Sequence, residues 1–158
     1  MGFFSAARQG RKDDAELGKG LWRRAHDRFH RGLDRFHQVL EGVEDDRLYG
    51  ELVEIANELA SLLERVRAVC MEAQRRSPSD GLDIPPGLAG VHRALSKAGN
   101  SLAATAEAAA MLRLAVGPIP VGAASVRRRA EAVFQQVDDA ERHLAEQSSG
   151  SGREDIPG

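Results

Sequence analysis

The sequence predicts an all-α fold, an antiparallel up-down four-helix bundle with long helices, on three observations. Apolar or small residues recur three and four positions apart in four segments of similar length; 42% of residues are hydrophobic but only 4% aromatic; and Pro- and Gly-containing breaks separate the later segments. The spacing lines one side of a helix with groups that must be buried against other helices. A core of Leu, Val and Ala suits helices that approach closely, and matched lengths with short connections suit an up-down arrangement. Two long hairpins that complete their cores only by dimerising are the alternative.

The 158 residues fit one domain, 15–147, between a flexible N-terminal segment, 1–14, and a disordered tail, 148–158. The first helix covers 15–43, with Leu17, Leu21, Trp22, Ala25, Phe29, Leu33, Phe36, Leu40 and Val43 on or beside its buried face. Gly32 lies beside that stripe, where it costs about 1 kcal/mol of helix propensity and lets a neighbour come close. Glu44-Asp45-Asp46 supplies negative charge to the unpaired amides that open the second helix, 46–76. Leu48, Leu52, Ile55, Leu59, Leu62, Val66, Val69 and Ala73 are its stripe.

The prolines and glycine between Ser77 and Pro86 end that helix, and Pro85-Pro86 suits entry into the third, 86–115. Val91, Leu95, Ala98, Leu102, Thr105, Ala109 and Leu112 repeat the pattern before Gly117-Pro118 stops it. The fourth helix, 122–147, carries Val126, Ala130, Val133, Val137, Ala140 and Leu144. At 1.5 Å per residue these helices are roughly 39 to 47 Å long.

Charge is nearly balanced, with 22 basic and 24 acidic residues and a formal net charge of -2, so nothing global draws the chain to nucleic acid or an anionic membrane. Its layout is uneven. Six basic and two acidic residues lie between Lys19 and Arg35, against seven acidic and one basic between Glu44 and Glu64. In a hairpin the basic start of the first helix therefore lies beside Arg65, Arg67, Arg75 and Arg76. Arg127-Arg128-Arg129 then meets the acidic end and offsets Glu51 and Glu54.

Cys70 is the lone cysteine, which excludes an intrachain disulfide and a multi-thiolate metal site. No apolar run approaches the roughly 18 residues of a spanning helix, and the first residues lack the order of a signal peptide. These observations point to a cytoplasmic protein.

A tetrapeptide is duplicated one heptad apart, Asp27-Arg28-Phe29-His30 and Asp34-Arg35-Phe36-His37. It aligns Phe29 with Phe36. His26 and His30, four apart, can reach one metal ion, with Asp34 a further ligand. The other reading of these residues is a solvated set of Asp, Arg and His pairs worth a few tenths of a kcal/mol each. No nucleophile has a paired base, no phosphate loop is present, and no cofactor is implied.

Three surfaces suggest binding. Between Ala98 and Leu112 only Glu107 is charged, and Ala103, Ala106 and Ala110 are among the alanines spread around this stretch, so a homodimer contact through it is the leading expectation. Phe3 and Phe4, followed by Arg8, Arg11 and Lys12, can dock weakly into a groove or onto a membrane surface. Arg127, Arg128 and Arg129 suit an acidic protein partner better than nucleic acid. The sequence thus reads as a non-enzymatic helical interaction protein, an adaptor, regulator or assembly component. A metal-binding or redox bundle and a nucleic-acid-associated factor are the alternatives.

Overall fold

Gly18-Lys19-Gly20 divides the segment expected to form the whole first helix. The computed structural model describes residues 2–115 and 122–151, with side chains at all of these except 2, 3, 150 and 151. The described residues are all-helical: α1 Gly2–Leu17, α2 Leu21–Glu41, α3 Asp46–Arg76, α4 Ala89–Leu114 and α5 Ala124–Ser151, with one 3-10 turn, Pro86–Leu88, before α4. Five helices thus replace the expected four. Gly18 has φ +70°, a conformation that side-chain-bearing residues rarely adopt, and Gln74 fills the space a Cβ would need. At Gly20 the Ser79 carbonyl stands where a Cβ would point.

Two further boundaries differ from expectation. Residues 2–14, expected to be a flexible lead-in, are helical, and the helix is charged rather than striped. Gln9 donates to the Asp13 carboxylate one turn on (2.8 Å), which supports it locally. Helix α5 also continues through Ser148 and Ser149, whose hydroxyls donate to the Leu144 and Ala145 carbonyls. Residues 152–158 of the expected tail lie outside the described residues.

The other ends follow local chemistry. Asp45 caps α3, its carboxylate accepting from the Leu48 amide at 2.8 Å. Pro86 opens the turn before α4. At the start of α5 the Ala123 amide donates to Glu51 of α3 at 3.2 Å.

The apolar stripes meet in one core. Trp22, Phe29, Phe36 and Val39 of α2, Leu52, Ile55, Leu59 and Leu62 of α3, Val91 and Leu102 of α4, and Val133 and Val137 of α5 are fully buried. Helix α2 packs on α3 and α4, while α5 packs on the same two. Contacts advance in the same sense along α2 and α4: Trp22 meets His92 edge-on, Gly32 meets Leu102, and Gly42 meets Arg113. They also advance together along α3 and α5, from Glu58 with Arg127 to Arg76 with Ser148. Helices α4 and α5 run oppositely, with Gly90 beside His143 and Gly87 beside Gln147.

Consecutive helices α3 and α4 are therefore not principal neighbours. Residues 77–85 lead from one to the other past the start of α2, where Ser79 receives the Leu21 amide (3.4 Å) and donates to the Gly81 carbonyl (3.1 Å). A connection of this length reaches across an end of the helix assembly, which a two- or three-residue turn does not.

Candidate interaction surfaces

Helix α4 loses most of its circumference to its neighbours. Leu95, Gly99, Leu102 and Ala106 are buried, as are Val91, Ala98, Thr105 and Ala109. Thr105 satisfies its hydroxyl by donating to the Ser101 carbonyl one turn back, 2.6 Å. Most of the missing charge in α4 is thus explained inside the chain. Ala106, assigned above to an interaction surface, is wholly in the core, and Ala110 is half-buried.

What remains outside is narrow. Arg93, Lys97, Asn100, Glu107, Met111 and Leu114 are exposed, Ala104 is half-buried, and Ala103 and Arg113 are exposed beside them; Asn100 accepts from Arg28 of α2. The seam positions alternate four and three residues apart, the repeat that keeps a line of side chains facing a partner helix. Its composition changes along the helix, from basic Arg93 and Lys97 through Asn100 and Ala104 to acidic Glu107, and ends in apolar Met111 and Leu114. Met111 is 73% exposed and Leu114 70%, values that set them apart from the buried leucines of the same helix.

The amino-terminal helix uses the opposite chemistry. Leu17 is its buried apolar residue, and the exposed face includes Phe4, Arg8, Arg11 and Lys12. The side chain of Phe3 lies outside the described residues. The carboxyl end of α1 is held by charge. Arg67 of α3 bonds to Asp13 (2.7 Å) and Glu16 (2.8 Å), while Arg23 of α2 bonds to Asp14 (2.8 Å) and Asp27 (3.0 Å). Partial burial works against the Asp13 carboxylate, but hydrogen bonds from Gln9 and Arg67 and the charges of Arg67 and Arg23 hold its pKa below the ordinary 3.8. Burial likewise disfavours the Arg67 charge, and Glu16 and Asp13 outweigh it and raise its pKa.

The expected basic end of the molecule is therefore largely neutralised. Arg65 forms ion pairs with Asp138 and Glu141 of α5, and Arg75 and Arg76 share Glu72, whose pKa they pull down to about 2. At the other end Arg127 pairs with Glu58 rather than with Glu51 or Glu54. Glu54 lies one helical turn and Glu51 two turns before Glu58, and Glu51 is already engaged by the Ala123 amide. Arg128 and Arg129 are exposed.

The histidines do not converge. His26 is buried with its Nδ1 3.0 Å from the Asp27 carboxylate, whereas His30 is exposed with its Nε2 3.8 Å from Asp34. Their ring centroids are 6.2 Å apart. Four-residue spacing brings the two rings near one another, tilted by 38°, but the rotation between them leaves one in the core flank and the other in solvent. Among the described residues no group of three or more His, Cys, Asp or Glu side chains is arranged to hold a metal ion. Burial pushes the Cys70 thiol up to about 12, so it stays protonated and unreactive near neutrality.

Sequence reasoning missed the Asp13–Arg67–Glu16 cluster because its residues come from distant parts of the chain. Its one local signal was the acidic run Asp13-Asp14-x-Glu16 followed by Leu17. No helix among the described residues is long and apolar enough to cross a membrane. No protein-family model, curated protein or solved structure matches the chain.

Proposed function

We propose that this chain is a non-enzymatic helical interaction protein, an adaptor, regulator or assembly component, that pairs with a second copy of itself through the outer seam of α4. In this reading α2–α5 form a four-helix bundle whose successive members alternate in direction, and α1 is an appendage to it. The exposed four-and-three repeat ending in Met111 and Leu114 carries the reading.

Charge complementarity favours a second copy as the occupant. Lys97 and Glu107 stand equally far on either side of Leu102, so antiparallel pairing centred there brings each lysine to the other copy's glutamate. The same pairing sets the basic Arg93 end away from its own like and leaves Ala103 and Ala104 at the closest approach. Small side chains there permit tight, coiled-coil-like contact. The cytoplasm, a reducing compartment, suits a chain with a single buried thiol.

Sedimentation across the micromolar range tests the pairing. A dimer is expected that the double change Met111→Lys and Leu114→Lys, which sets lysines against the other copy's Arg93 end, converts to monomer with little loss of thermal stability, since both side chains are already exposed. A strict monomer at every concentration overturns the proposal.

A further inference from the structure

We propose that the α2–α3 face carrying Arg23 and Arg67 is a receptor for an acidic helical segment, and that α1 fills it in cis as an autoinhibitory plug hinged at Gly18. This site is on a different face from the α4 seam and stands independently of the pairing described above.

The bonds of Arg67 carry the argument. Its side chain is 12% exposed, and both carboxylates that neutralise it, Asp13 and Glu16, belong to α1. Arg23 is different: it has Asp27 on its own helix in addition to Asp14, so it keeps one partner when α1 leaves. Withdrawal of α1 therefore uncovers the Arg67 guanidinium and leaves it without either carboxylate. The uncovered face is basic, and a ligand that complements it presents carboxylates at the positions of Asp13 and Glu16.

The occupant's grip is of a releasable kind. Leu17 is buried at the end of α1 nearest the hinge, whereas Asp13 and Glu16 reach the receptor through polar groups alone. Residues 4–8 are exposed. Gly18, at φ +70°, is the last link before Gly20 and Leu21 are locked onto the Ser79 loop. Rotation at that glycine frees α1 without disturbing the start of α2. A partner helix with two carboxylates one turn apart, as Asp13 and Glu16 are, reproduces the bonds α1 makes.

The test uses the full chain and a fluorescent peptide of residues 8–18. Changing Asp13→Asn, Asp14→Asn and Glu16→Gln together weakens the plug and leaves the receptor intact. The expected result is that this variant binds the peptide at least about tenfold more tightly than the unaltered chain, because the competent state is no longer masked. Adding Arg67→Met should abolish the gain, and adding Arg65→Met, whose partners lie on α5, should preserve it. Equal binding by plugged and unplugged chains, or binding indifferent to Arg67→Met, overturns the proposal. Hydrogen exchange on the unaltered chain supplies a measurement free of folding defects. Amides of α1 should lose protection as salt rises while those of α2–α5 keep theirs, and α1 amides that exchange only with global unfolding overturn it equally.

Discussion

Helices α1 and α4 are held to the rest of the molecule by opposite means. Between Ala98 and Leu112, α4 has Glu107 as its one charged residue, and its buried sides are Leu, Val and small residues that fit between α2 and α5. Helix α1 carries Arg8, Arg11, Lys12, Asp13, Asp14 and Glu16, and contacts α2 and α3 through ion pairs and Leu17. The magnitudes differ accordingly. Burying one leucine is worth about 1.5–3 kcal/mol, and each accessible ion pair about 0.2–1 kcal/mol. Helix α4 adds several fully buried side chains to a shared core, so it belongs to the cooperative unit. Helix α1 adds little more than one, which is why the proposed plug is expected to open before the rest.

The largest effect that probes this contrast is Leu102→Ala. It should lower the stability of the whole chain by about 2–5 kcal/mol, read as a single shifted transition in chemical denaturation. A loss confined to α4, with α2 and α5 unaffected, breaks the comparison. Gly32→Ala comes next. Alanine gains about 1 kcal/mol of helix propensity, but its Cβ stands 2.9 Å from two carbons of Leu102, a branch point among them. The clash should win by about 1–2 kcal/mol, measured as a lower melting temperature. A higher one means that α2 and α4 are less tightly apposed than this contact requires.

Acid gives the smallest effect and the most local one. Asp13 has a folded pKa depressed below its ordinary 3.8. It therefore binds fewer protons folded than unfolded, and the stability it contributes is complete above that ordinary value. That stability is lost as pH falls through the folded value. Protection of α1 amides, taken relative to their intrinsic exchange rate at each pH, should fall below pH 3.8, and Asp13→Asn should remove the part of that dependence due to this group. Unchanged α1 protection through the same window would show that the ion pairs do not hold it.

The same contrast explains what could be read along the chain. Periodic apolar residues marked α3 and α4 closely, and Asp45 and Pro86 marked their beginnings, because caps and stripes are local chemistry. Gly32 was legible as a point of close approach, and Leu102 is what approaches. Helix α1 was not legible, because ionic docking leaves no stripe, and Gly18-Lys19-Gly20 interrupts the helix expected over 15–43. Ala106 and Ala103 looked equivalent. One is now buried and the other exposed, and composition alone cannot distinguish the two sides of a helix rich in alanine.

By itself the sequence determined that the chain is helical and which side of each long helix must leave water, since both follow from spacing within a few turns. Only the tertiary structure decided that α2 lies beside α4 and α3 beside α5, that Arg67 receives the acids of α1, and that the seam from Arg93 to Leu114 stays outside. The physical reason is that apolar burial has no direction. A stripe demands cover without naming its neighbour, and the length of 77–85, the room at Gly32 and the pairing of distant charges made that choice.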